Sequence, residues 1–290
     1  MTALSAKGPP EWVQLEWVQL EWVQLEWVQL WGLRALIGAG AAIIFLPLIF
    51  TVYLSVFDET IIVFPPRGYT LHWYADILGE FGAALRTSFS VAMAAAIVSV
   101  LIGVPAAVAI SRYRFAGRSA VSTLLLAPLT VPGIAIGLGI YVLAILVEEV
   151  SGWALAGSVS LLIAAHVLIA LPWVVRLGLA ALANGDPAAE EAAASLGAPP
   201  WRVLWRITLP RMSSGIVAGG LFAFIVSFEN LEMTLFLIAP GMTTLPISVL
   251  QYLQYHIDPL VAAVAVVQVV LVAAALIVLD RQVRLSKVIA

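Results

Sequence analysis

Six apolar stretches of about 20 residues each divide this chain, and each is long enough to cross a bilayer as an α-helix. They fall at 36–57, 85–110, 120–147, 154–177, 214–238 and 260–279. The remainder agrees: 62% of the 290 residues are hydrophobic and only 11% are charged, with a mean hydropathy of +1.05. A water-soluble domain cannot bury that much apolar surface. The predicted class is all-α integral membrane. There are no cysteines, which excludes disulfides and thiolate metal sites. No removable signal peptide is expected, because Arg34 adjoins a first stretch too long for one and no small-residue cleavage site follows.

The basic residues give an orientation. Lys7 and Arg34 precede the first span, and Arg112, Arg114 and Arg118 follow the second. Arg176, Arg202, Arg206 and Arg211 surround the loop after the fourth, and Arg281, Arg284 and Lys287 end the chain. With six spans all of these share one side. Only Arg67 and Arg86 fall on the other, among Asp58, Glu59, Asp76, Glu80, Glu148, Glu149 and Asp258. Both termini and the loop between spans four and five are expected in the cytoplasm of a multi-pass inner-membrane protein.

Residues 11–30 are four copies of Glu-Trp-Val-Gln-Leu. A five-residue period turns about 140° per copy on a helix, so the glutamates scatter around the axis and form no heptad seam. The repeats read as a duplicated unit in a tail, residues 1–32, or as a Trp-rich helix on the membrane surface. Residues 71–78, with Trp73 and Tyr74, read as a short interfacial helix. In span three, Pro128 and Pro132 predict a kink, and Gly133-x-x-x-Gly137 permits a close approach by a neighbour.

Between spans four and five lies a polar segment with its own start and stop signals. Asp186-Pro187 is an N-cap acceptor followed by proline. Glu190 and Glu191 then sit at the positive end of the helix dipole. Ala189, Ala192, Ala193 and Leu196 share a face at helical spacing, and Gly197 can take the left-handed conformation that ends a helix. Pro199-Pro200 begins a second short helix, 201–207, closed by Leu209-Pro210. The predicted product is a helix–turn–helix knob on the membrane surface, either a contact for a second protein or a solvated connector.

The spacing of Glu191-Ala192-Ala193, Gly197, Ile207, Leu209 and Pro210 resembles the cytoplasmic loop signature of permease subunits of binding-protein-dependent ABC importers. The chain is most similar within that family to the C-type permease of spermidine/putrescine importers, through residues 69–74, 111–115 and 240–246. The resemblance covers roughly 33–285 and leaves out the repeats and the tail at 286–290. It implies a type I importer (MetI-like) transmembrane domain of six helices with a cytoplasmic coupling helix. It further implies that Glu190, Glu191, Ala192, Ala193, Gly197, Ile207, Leu209 and Pro210 dock on an ATPase. The implied partners are a second permease subunit forming a heterodimer, two ATPase subunits and an extracytoplasmic solute-binding protein. ATP and Mg²⁺ would be bound by the ATPases, with no cofactor in this chain. The residues agree: no phosphate-binding Gly-x-x-x-x-Gly-Lys occurs, and the only lysines are Lys7 and Lys287.

Span five carries Ser227, Glu229, Asn230, Glu232 and Thr234. A carboxylate at bilayer depth costs about 2.5–3.5 kcal/mol on insertion scales, so it avoids lipid. On a continuous helix Glu229 and Glu232 share a face. They either bond neighbouring helices or line a passage for a cationic solute, a polyamine or a related amine or amino-acid-like compound. The similar polyamine permeases carry paired acids near Glu229 and Asn230. Here the second is an amide, which lowers the charge available for a dication. His166 and Pro172 in span four read as packing and kink features. No metal cluster and no nucleophile–base pair is evident, so no catalytic residue is expected, and nothing suggests nucleic-acid binding. Two other classes fit the residues less well: an ion-coupled secondary transporter acting alone, and a membrane scaffold that transports nothing.

Overall fold

The computed structural model describes residues 11–61, 63–183, 185, 187–239 and 241–283. Lys7, Asp186, Pro240, Arg284, Lys287 and the 286–290 tail lie outside the described residues. The chain divides into a unit ending at Leu54 and a second beginning at Ser55. The first unit is a single helix, α1 (Glu11–Leu54), in which the five-residue repeats run without a break into the apolar stretch Trp31–Leu54. Pro47 lies inside α1, and its carbonyl accepts the Thr51 hydroxyl at 2.9 Å.

The second unit continues with α2 (His72–Arg112), α3 (Arg118–Leu126), α4 (Gly133–Ser151), α5 (Val159–Ala183) and α6 (Ala188–Ser195). Then come α7 (Pro200–Val203), a π-turn (Leu204–Thr208), α8 (Leu209–Arg211), α9 (Ser213–Phe228), α10 (Leu245–Leu253) and α11 (Leu260–Val283). Among the described residues five helices are long and apolar enough to span a membrane. The bent pair Pro200–Arg211 and Ser213–Phe228, with 67° between its halves, is a sixth candidate when counted as one span. The expected helical architecture is present, with five to six candidate spans.

Three expectations change in detail. Residues 71–78 form no separate interfacial helix; they start α2, which runs unbroken for 41 residues. Trp73 is buried, and its indole N–H donates to the Phe57 carbonyl at 2.7 Å, while the Tyr74 hydroxyl meets Ser55 Oγ at 2.7 Å. Both aromatics therefore pin the preceding turn instead of anchoring at a lipid interface. That turn is closed by Thr70 N–H to the Val56 carbonyl at 2.8 Å and by Arg67 N–H to Glu59 Oε1 at 2.7 Å. Span three is not one kinked helix. It stops in a 3₁₀ turn at Ala127–Leu129 and restarts at Gly133, after Pro132 with ψ 135°. Two prolines four residues apart remove two donors, and each disfavours helical backbone at the residue before it. Span five is likewise not helical to residue 238, because α9 ends at Phe228.

The core of the second unit is the packing of α2, α5 and α9. Lipid supplies no hydrophobic drive between helices, so close approach depends on small residues. A Cβ on Gly219 would lie 2.9 Å from Val174 Cα, and one on Gly215 would lie 2.7 Å from the Leu177 carbonyl oxygen. Gly178 meets Ala107 in the same way, at 3.0 Å. Ala96, Ala170 and Ala223 cluster with Val174 there and are buried. A second cluster joins the start of α2 to α10 and α11 through Trp73, Phe81, Leu245 and Leu260. A third joins α5 to the segment beyond α9 through Leu162, Ala165, Met233 and Leu237.

Candidate functional site

The knob begins where Pro187 turns the chain into α6, its carbonyl accepting from Glu190 N–H at 2.9 Å and Glu191 N–H at 3.0 Å. Its end is a complete Schellman cap: Ala198 N–H donates to the Ala193 carbonyl at 3.0 Å and Gly197 N–H to Ala194 at 2.9 Å. Gly197 has φ 83° with open space where a side chain would lie, so conformation alone calls for glycine there. The two neighbouring glutamates part company. Glu190 is paired with Arg112, the last residue of α2, through Nε–Oε2 at 2.9 Å and Nη2–Oε1 at 3.1 Å. Glu191 is exposed. The two-pronged pair fixes α6 against the end of α2, and Arg112 complements the negative end of its own helix. Reading Glu190 with the dipole alone missed Arg112; a basic residue ending the neighbouring span was the available signal.

Ala189, Ala192 and Leu196 face outward, Leu196 being 89% exposed, while Ala193 is half-buried. The expected second helix is longer than its signals suggested. It runs from Pro200 to Arg211 and passes through Pro210, which does not close it. The π-turn just upstream is the physical reason. Pro210 has no N–H to give Arg206 and its ring crowds that carbonyl, and widening the turn relieves both. Leu209 N–H accordingly donates to the Leu204 carbonyl. Ile207 and Leu209 are half-buried, Thr208 is buried and Pro210 exposed. Between this wall and the end of α2 lies a groove of about 690 Å³, with Arg112, Glu190, Trp201 and Trp205 on its sides.

The acidic residues of span five sit in a break, not on a helix. Glu229 caps α9, and a 3₁₀ turn, Thr234–Phe236, follows Met233. Glu229 and Glu232 therefore share no helical face, contrary to the expectation, though both are exposed. Asn230 drives the break. Its Oδ1 accepts from Thr234 N–H at 3.3 Å, a side-chain-to-backbone bond that competes with helix continuation. The start of α4 packs directly on the broken segment. A Cβ on Gly133 would meet Glu232 Oε2 at 2.8 Å, and one on Gly137 would meet the Met233 carbonyl oxygen at 2.7 Å. The close approach expected of Gly133 and Gly137 is thus made to a non-helical chain, and the breaks in spans three and five adjoin.

His166 is buried at this same place, with Nδ1 2.7 Å from Ser227 Oγ and Nε2 3.1 Å from Thr234 Oγ1. It is more than the packing residue expected, since both ring nitrogens are used. Ser227 and Thr234, polar residues inside an apolar stretch, were the signal that it needed polar partners. Among the described residues no group of three or more His, Asp or Glu could hold a metal ion.

A family model described as "Binding-protein-dependent transport system inner membrane component" matches residues 76–286. The putrescine transport system permease protein PotI of Escherichia coli K12 is 30% identical over 229 residues, covering 78% of this chain and 81% of that one. The spermidine/putrescine transport system permease protein PotC of the same strain is 29% identical over 208 residues, covering 71% and 76%. The molybdenum transport system permease protein ModB of Mycobacterium bovis is 36% identical over 207 residues, covering 68% and 76%. Among solved structures, an inward-facing MetNI methionine ABC transporter chain superposes with a TM-score of 0.58 at 20% identity, covering 72% of this chain and 96% of that chain. A chain of a bacterial ABC transporter that imports the acidic polysaccharide alginate gives 0.64 at 16% identity, covering 85% and 93%. Those two share the MetI-like fold seen here. The knob signature, the multi-span helical body and a family match over most of the chain converge: this protein belongs to the binding-protein-dependent transport system inner membrane components, the permease subunits of ABC importers.

Proposed function

We propose that this permease subunit carries a small amine, a polyamine or a related amino-acid-like compound, across the inner membrane by ATP-driven alternating access. The observation that supports this best is the knob. It is capped at its C-terminal end, clamped to α2 by Arg112–Glu190, and turns small apolar residues and Leu196 outward. Such a surface suits a rigid contact, and a rigid contact can bias two membrane conformations when it binds them with different free energies. In this scheme two ATPase subunits grip the segment from Glu190 to Pro210 and bind the ATP and Mg²⁺. A second, different permease completes the passage, and a solute-binding protein delivers cargo to the outer loops at 58–80 and 239–258. Residues 33–285 form the transporting domain between cytoplasmic tails at 1–32 and 286–290, and both termini face the cytoplasm.

The solute reading rests on the exposed Glu229 and Glu232 at the break, with Asn230 turned inward to Thr234, and on the relatives named for putrescine and spermidine. The relative named for molybdenum transport makes an oxyanion the rival, and two exposed carboxylates oppose it electrostatically. Reconstitution of the permease pair with its ATPase and binding protein in liposomes tests both. Labelled putrescine should accumulate only with ATP and binding protein inside and outside respectively, and Glu229→Gln should slow it about tenfold, the order expected for one charge-assisted contact. Accumulation of molybdate instead, or putrescine kinetics indifferent to Glu229→Gln, would overturn the amine assignment.

A further inference from the structure

We propose that His166 is the positioning residue that holds the acidic break of span five in place and ties it to the helix that leads to the knob. The inference rests on the reading of Glu229 as part of the passage. Its own basis is the geometry around a ring that is 1% exposed. Ser227 lies in the last turn of α9, and Thr234 opens the 3₁₀ turn beyond the break. The imidazole touches both, so it spans the break the way a staple spans a cut.

Thr234 Oγ1 also reaches Asn230, whose carbonyl oxygen is at 2.9 Å and whose Oδ1 is at 3.0 Å. Ser227, His166, Thr234 and Asn230 therefore form one connected chain of hydrogen bonds whichever ring nitrogen carries the proton. Every member bears on the residues that set the position of Glu229 and Glu232.

The ring belongs to α5, which ends at Ala183, and the knob helix begins at Ala188. From His166 to the end of α5 is about 26 Å at about 1.5 Å per residue. Movement that reaches α5 from the knob is thereby passed to the break, and His166 is the point at which α5 holds it. Without that hold the segment 229–233 samples other positions.

The absence of native cysteine permits a direct test in the assembled complex. Leu231→Cys places one thiol in the half-buried middle of the break, and its rate of maleimide labelling reports how often the segment opens. A glutamine amide nitrogen can stand where Nε2 stands, and an asparagine oxygen where Nδ1 stands. His166→Gln therefore loses only the bond to Ser227 and His166→Asn only the bond to Thr234, and each should speed labelling about fivefold to tenfold, the population change expected for one lost buried hydrogen bond. Thr234→Val should match His166→Asn. The two combined should not multiply. Putrescine KM should rise in the same order among the variants. Thr234→Val leaves the ring in place and exchanges a hydroxyl for a methyl. If it labels at the wild-type rate, or if neither His166→Gln nor His166→Asn speeds labelling, the staple is overturned whatever the fate of the other variants. The labelling arm does not depend on solute, so a failed Glu229 assignment shows separately, as a Glu229→Gln permease with unchanged uptake.

Discussion

Adjacent glutamates with different fates show how the knob is set. Glu190 is held by Arg112 at 2.9 and 3.1 Å, and both side chains are partly buried. A partly exposed pair of this kind contributes on the order of 1 kcal/mol. Arg112→Ala should therefore loosen the knob and lower binding-protein-stimulated ATP hydrolysis a few-fold while leaving the amount of assembled complex unchanged. The swap Arg112→Glu with Glu190→Arg should restore only part of the loss. It remakes the pair but puts each charge at the unfavourable end of its helix. ATPase assays of the single and double variants give the coupling directly. Gly197 makes a second residue-scale case. At φ 83° any side chain adds about 1 kcal/mol of strain, so Gly197→Ala should also lower stimulated hydrolysis, although nothing lies within 4 Å for the methyl to strike.

At the scale of elements, glycines decide how near α2, α5 and α9 come. Gly219→Ala would force Val174 or the helix axis to move, since the new methyl carbon would lie 2.9 Å from Val174 Cα. Overpacking of this kind destabilises by about 1–3 kcal/mol, and the purified permease should melt several degrees lower; an unchanged Tm would show that the helices adjust freely. The existence of these helices was legible in apolar run length, and the knob in its proline and glycine punctuation. Where spans break was not. Pro128 and Pro132 signalled trouble in span three, but nothing local distinguishes a kink from the full stop before Gly133. The break after Phe228 depends on Asn230 reaching Thr234 and on His166 arriving from 61 residues upstream of Ser227. Periodicity sees neither, because a carboxylate three residues from another fits a helix as well as it fits a turn. Pro210 misled in the other direction, since a π-turn lets the helix pass it.

For the whole molecule the decisive property is sidedness, because a knob can receive work from an ATPase only on the face where ATP is. Arg112, Arg114, Arg118, Arg202, Arg206 and Arg211 lie at or beside the knob end of α2 and α9, while Asp76, Glu80 and Asp258 belong to the opposite ends of α2 and α11. Positive residues remain in the cytoplasm during insertion, so the expected arrangement has the knob inside and α10 outside. A cysteine-free chain makes that easy to examine. Ser195→Cys on the knob should label with a membrane-impermeant maleimide only in inside-out vesicles. Tyr255→Cys, at a residue 83% exposed beyond α10, should label in intact cells. If both mark from the same side, the spans have been miscounted. If they mark from opposite sides with the knob outward, no ATPase can reach Glu191 to Pro210, and an ion-coupled permease acting alone becomes the better account. The expected arrangement carries a further consequence. Glu229 then lies toward the outer end of its span, about 24 Å of helix away from Ser213, and a solute arriving from outside reaches it before the knob end of the span. Delivery from the outside would come first and the stroke from below second, which is the order an importer requires.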